Sequence, residues 1–140
     1  MEEISWISIA VAAASTMAVG FFWYNPKIIG QSLADEMNVG NVDSKKGHQP
    51  WIYLVSVVLA GVIAHKLSGG ARHHGADDQH FLHGAFHGFM TSLYLVVPVL
   101  ATNFLFESRS IKLILLHTSY WMACFALMGG ILYAFTGAGY

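Results

Sequence analysis

The sequence predicts an all-α integral membrane protein: four transmembrane helices in a compact bundle, with a short interfacial helix after the first span. Three observations carry that expectation. Hydrophobic residues make up 55% of the 140 and charged residues only 11%, with a mean hydropathy of +0.51, whereas soluble domains carry about a quarter charged residues. The apolar residues gather into four runs near the length that crosses a bilayer. The few Lys and Arg residues fall in or beside the connections between those runs. Length then suits a single four-helix transmembrane domain over residues 1–140, with spans at about 4–24, 50–67, 81–106 and 111–136.

Composition excludes several classes. A net charge of −1, without a basic block or an aromatic-basic platform, gives no footing for nucleic acid. The single cysteine, Cys124, permits no intramolecular disulfide and no Cys-based metal cage, and it sits in an apolar run where a small packing residue is expected.

The first run, Ile4 to Tyr24, holds 21 residues without Asp, Glu, Lys or Arg, close to the ~20 that cross a ~30 Å hydrocarbon core. Glu2 and Glu3 precede it where a cleaved signal peptide would carry basic residues, so a retained helix is expected. Trp23 and Tyr24 suit a headgroup boundary, and Asn25-Pro26 ends the helix because a residue before proline avoids helical geometry. Beyond it, Ile29, Leu33 and Met37 recur at four-residue spacing beside Asp35 and Glu36, the pattern of a short interfacial helix. Residues 41–47 then form a polar connector. The second run is the weakest: Trp51 to Ala64 is strongly apolar, and reaching Leu67 requires Lys66 to snorkel to the headgroups. A re-entrant segment there would leave three spans and move the carboxyl terminus to the other side. The third run is interrupted by Pro98, which should kink the helix and free a carbonyl. The fourth follows the short loop Glu-Ser-Arg-Ser.

Orientation follows from the cations. Lys27, Lys45, Lys46, Arg109 and Lys112 lie on the first and third connections, against Lys66 and Arg72 by the second. The excess places the first and third connections in the cytoplasm, and both termini and the histidine-rich loop outside the cytoplasmic membrane. Association in lipid must rely on close packing, so small residues at four-residue spacing are the expected contacts. Ala10, Ala14 and Ala18 provide them on the first helix, Gly84 and Gly88 on the third, and Gly129 and Gly130 on the fourth.

The stretches GFFWYNPKIIGQSL, NFLFESRSIKLILL and SYWMACFALMGGIL resemble the small bacterial integral membrane proteins of domain-of-unknown-function family 1761. The resemblance covers nearly the whole chain. Its motif positions are Trp23, Tyr24, Pro26 and Gly30 after the first span, then Asn103 and Phe106 closing the third. What it implies is a four-helix membrane fold. It implies no activity, substrate or cofactor, and the histidine run is not recognisable as part of its pattern.

Two polar sets remain to be argued from their own chemistry. Asn103 and His117 fall at similar depth on antiparallel neighbours, where an Asn103 hydrogen bond to the fourth helix would fix packing; a proton or ion path through His117 is the rival. The second set lies in HHGADDQHFLHGAFH, residues 73–87, which hold five of the eight histidines. Asp77 or Asp78 can cap the helix that follows. At about 100° per residue, His80, His83 and His87 share a stripe of about 60°, with Gly84 and Gly88 beside it. Those three, with His65 on the second helix and His73, His74 or Asp77 nearby, offer ligands for Zn²⁺ or Cu²⁺, and His65 paired with His83 or His87 offers bis-histidine haem ligation. The plainer expectation is solvated interfacial histidines with His87 hydrogen-bonded in the bundle. No catalytic constellation is evident. The functional expectation is thus a non-enzymatic membrane subunit that self-associates as a homo-oligomer or serves a larger membrane complex. Its rivals are a metal- or haem-binding membrane protein and an oligomeric ion or solute conduit around Pro98, Asn103 and His117.

Overall fold

The computed structural model describes residues 5–36, 50–73 and 75–138, and helix is the only regular structure among them. Met37, the connector at 41–47 with Lys45 and Lys46, and His74 lie outside the described residues. Helix α1 spans Trp6–Trp23. It starts where the Ser5 hydroxyl accepts the Ser8 N–H at 3.3 Å, which satisfies one of the donors a helix start leaves open. Its 18 residues correspond to about 27 Å at 1.5 Å per residue, so Trp6 and Trp23 frame a length close to the hydrocarbon core. Asn25 then accepts the Lys27 N–H at 3.0 Å, and a π-helical segment, Pro26–Gly30, leads into α2, Gln31–Glu36. On α2 the Asp35 carboxylate accepts a hydrogen bond from Gln31 one turn earlier, at 2.9 Å.

Helix α3, Pro50–Arg72, extends well past Leu67, where the sequence reading ends the span. Ser68-Gly69-Gly70 reads as a break in isolation, but packing keeps the helix going. Ala60, Ala64, Ser68 and Ala71 form one buried stripe, the Ser68 hydroxyl donates to the His65 carbonyl at 2.7 Å, and Arg72 Nε reaches back to the Ser68 carbonyl at 3.3 Å. The run is a continuous helix of 23 residues, long and apolar enough to cross a membrane.

The third apolar stretch is α4, Phe81–Thr91, and α5, Val97–Phe106, joined by a π-helical segment at Ser92–Val96. Pro98 explains that segment. Its ring lacks an N–H and conflicts with the carbonyl four residues back, and the backbone answers by widening one turn, so that the Val97 N–H bonds the Ser92 carbonyl five residues earlier. The loop to α6, Ile111–Gly137, closes both helix ends within four residues. Ser108 sits at φ 56°, the Ser108 N–H returns to the Leu105 carbonyl and the Arg109 N–H to the Phe104 carbonyl, the pattern that satisfies a helix carboxyl end. Ser110 caps α6 by accepting the Leu113 N–H at 3.2 Å. Among the described residues, four helices are therefore long and apolar enough to cross a membrane: Trp6–Trp23, Pro50–Arg72, Phe81–Phe106 and Ile111–Gly137.

Helix α6 is the hub. It packs on α1, α3, α4 and α5, while α1 packs on α3 and the closest crossing is α4 on α6. The core forms where α1, α3 and α6 meet: Ile9, Ala12, Ala64, Cys124, Phe125, Met128 and Leu132. Cys124 is fully buried with a free thiol. The α1 contact face differs from the expected one. Ala10, Ala14 and Ala18 are exposed, and Ser8, Ile9, Ala12, Ala13 and Thr16 are buried. Small residues ring α1 almost completely, so four-residue spacing alone could not choose a face; the face with Ile9 is the one that delivers core volume.

On α4 the glycines seat backbone against backbone. A methyl group at Gly84 would overlap the Gly129 carbonyl oxygen and lie 2.5 Å from Tyr133 Cβ, and one at Gly88 would overlap the Phe125 carbonyl. Gly130 faces the ring of Phe81, 2.6 Å from where its Cβ would be. Gly88→Val is expected to cost about 1–3 kcal/mol or more through overpacking, read as unfolding in mild detergent, whereas Gly61→Ala, with nothing within 4 Å, is expected to be neutral or slightly stabilising. Ser108→Gly should stabilise the chain by about 1 kcal/mol, because glycine adopts the left-handed conformation without the Cβ conflict; the same unfolding measurement checks it.

Candidate functional site

The histidine segment starts with a single turn of 3₁₀ helix at Ala76–Asp78, and α4 begins at Phe81 with His80 as its cap residue. Neither Asp77 nor Asp78 caps α4, contrary to the sequence expectation. The turn uses its backbone instead: the Asp78 carbonyl accepts the His80 N–H at 3.0 Å, which leaves the extended His80 at the helix start with no side-chain cap bond. Gln79 folds back over the bundle end, with its backbone against Gly137 of α6 where a Cβ would collide, and its amide reaches the Ala71 carbonyl of α3 at 3.5 Å. The segment is therefore pinned to two helices.

One helical turn separates His83 from His87, and their Nε2 atoms lie 3.1 Å apart. One ring donates and the other accepts. Both are half-buried. Tyr133 of α6 backs the pair: His87 stacks on its ring at 5.7 Å and 11° between planes, and His83 lies 5.8 Å away. Tyr133 is itself only 3% exposed, and its hydroxyl approaches Gly70 of α3, 3.5 Å from where a Cβ would be. Three helices thus meet at this tyrosine. His80 is exposed, with its ring 5.7 Å from that of His83.

The other predicted ligands are elsewhere. His65 is exposed and stacks on Trp6 of α1 at 6.0 Å. His73 and Asp77 are exposed. Among the described residues, no group of three or more His, Cys, Asp or Glu side chains is gathered for a metal ion. Asn103 does not tie α5 to α6: it is exposed, while His117 lies against the Phe104 ring at 5.1 Å. Thr118 and Ser119 donate back to Ile114 and Leu115 on their own helix, at 2.8 and 2.5 Å. Pro98 and Asn103 are both exposed.

The motif at the opposite end does more than mark a headgroup boundary. Trp23 Nε1 donates to the Leu116 carbonyl of α6 at 3.2 Å, and Tyr24 packs its ring 5.2 Å from Tyr120. The Tyr120 hydroxyl comes 3.4 Å from the position a Cβ on Gly20 would take. The aromatic pair thereby clamps the Trp23 end of α1 onto α6, and a π-helical segment follows at Pro26–Gly30. Phe106, at the end of α5, is 88% exposed.

The family model described as protein of unknown function DUF1761 matches residues 7–133. The chain belongs to this family. The DUF1761 match begins one residue inside α1 and ends at Tyr133, so both the aromatic clamp and the His83–His87–Tyr133 cluster lie within it. No curated protein and no solved structure matches the chain.

Sequence reasoning found His83 and His87 and missed their partner. Tyr133 lies in an apolar run exactly four residues beyond Gly129 and three beyond Gly130, so the signal available was a tyrosine on the face next to the predicted glycine contact. Ser92 was missed likewise: it continues the Gly84, Gly88 spacing and is fully buried. Trp23→Phe, which keeps the ring and removes the donor, is expected to cost about 0.5–1.5 kcal/mol, whereas Asn103→Ala should stay within about 0.5 kcal/mol; unfolding in detergent distinguishes the two.

Proposed function

We propose that this DUF1761 protein is a membrane subunit that acts by packing, self-associating or serving beside a larger membrane partner, and that it has no catalytic role of its own. The observation that supports this reading is the way the third span is seated. Gly84, Gly88 and Ser92 are its buried positions, all on the side toward α6, and α5 has no buried residue at all. The rest of the span presents large apolar side chains: Leu82, Phe86, Tyr94, Leu95 and Val99 are all exposed. Lipid can cover such a face, and so can the same face of a second copy. Two neighbouring faces of this kind gain dispersion contacts if their surfaces interlock.

The membrane we assign is the bacterial cytoplasmic membrane, with both termini and the histidine-rich segment on the outer side. The asymmetry of Lys and Arg between the connections supports that orientation. Single cysteines placed near residue 77 and near residue 109, in a Cys124→Ala background, should react with an impermeant maleimide on intact cells at the first position and not at the second. The reverse pattern overturns the orientation.

For self-association, cysteines replacing Leu82, Phe86 or Val99 in native membranes are expected to give disulfide-linked dimers in a pattern that follows one face of the span. Native mass in mild detergent should show a homo-oligomer or a stable hetero-complex. A monomeric mass without co-purifying protein, together with no cross-link at any of the three positions, overturns the proposal.

A further inference from the structure

The histidine pair goes beyond a packing role. We propose that His83 and His87 chelate one divalent transition-metal ion, Zn²⁺ or Cu²⁺, at the outer end of α4. The two Nε2 atoms are 3.1 Å apart. Two nitrogen donors on one such ion, each about 2.0–2.1 Å from it, are separated by about 2.9–3.4 Å for ligand angles between square and tetrahedral. The hydrogen bond between the rings already holds the two donors at a separation within that range. In the metal-free pair one Nε2 carries the proton and the other accepts it. On binding, the donor ring moves that proton to Nδ1 and a modest rotation of each ring brings both Nε2 lone pairs onto one point. Both imidazoles stay neutral, and no oxidant or reductant takes part.

Three features of the surroundings support chelation at this point. The i, i+4 spacing on α4 sets the two rings on successive turns. Tyr133, buried and stacked on His87 at 11°, narrows the range of orientations open to that ring, so little rotamer freedom is lost on binding. Gly84 and Gly88, fixed against α6, keep the α4 backbone in register beneath the rings. The pair supplies two ligands. The remaining positions fall to water or to His80, whose exposed ring lies 5.7 Å from His83 and is free of the helix cap. His65, stacked on Trp6, is not among the ligands. An ion held by two protein donors with open positions is exchangeable, as suits uptake, sensing or transfer of a metal and not a closed structural site.

The test uses the full chain without an affinity tag, purified in mild detergent and stripped with a chelator. Cu²⁺ is added and followed by electron paramagnetic resonance; Zn²⁺ is measured by competition with a chromogenic chelator. The expected result is one ion per chain, with the Cu²⁺ spectrum showing coupling to two imidazole nitrogens or, if His80 joins, three. His83→Gln and His87→Gln should each weaken binding at least about tenfold, the lower end of what even an outer-shell change costs, and His65→Ala should leave it unchanged. The spectrum of the unmodified chain stands even if a variant fails to fold. Binding of neither ion, wild-type affinity in the double His83→Gln/His87→Gln chain, or loss of binding on His65→Ala or His73→Ala overturns the proposal.

Discussion

The end of the bundle that carries the histidine pair depends on two helix backbones touching. Where α4 crosses α6, Gly84 and Gly88 lie against the carbonyls of Gly129 and Phe125 with no side chain between them. In a bilayer the solvent around a helix is as apolar as its own side chains, so hydrophobic burial adds little and close approach supplies the attraction. A contact this tight fixes the rotation of α4 about its axis. Once that rotation is set, His83 and His87 must fall on Tyr133, Phe81 must meet Gly130, and the loop before α4 must fold across the end of α6. The polar cluster is a by-product of a glycine seam.

A second constraint is how the membrane helices deal with their hydroxyls. Ser15, Thr16, Ser56, Ser68, Thr91, Thr118 and Thr136 each donate to a carbonyl three or four residues earlier on their own helix. An unpaired hydroxyl in hydrocarbon costs several kcal/mol, and this local bond removes that cost without a partner helix. Helix positions rich in Ser and Thr are thereby neutral as to which neighbour they face. Ser92 departs from the pattern: its hydroxyl is buried with no hydrogen-bond partner among the described residues, at the start of the π-helical segment that Pro98 imposes.

The four spans were legible because length and apolarity are properties of composition, and the end of the first was marked by Asn25-Pro26, which acts within two residues; the Ser5 and Ser110 caps are as local but went unread. What was not legible depends on partners. Ser68-Gly69-Gly70 reads as a helix end until α6 is placed beside it. The α1 face could not be chosen among nearly equivalent small residues. Asn103 looked like a depth-matched partner for α6, yet the helix rotation that the glycine seam and Pro98 impose turns it outward. In the candidate site, helical spacing on one element was enough to align His83 and His87, whereas the tyrosine that orients them comes from a different helix and carries no local signal.

The hub position of α6 has a consequence for how the protein is made. Helices leave the ribosome in chain order, and α6 follows the other three spans. Until residues 111–137 enter the bilayer, α1 and α3 have only each other and α4 has no seat at all, so the third span waits in lipid with its glycine face open. A chain that stops before α6 lacks the backbone on which Gly84 and Gly88 seat.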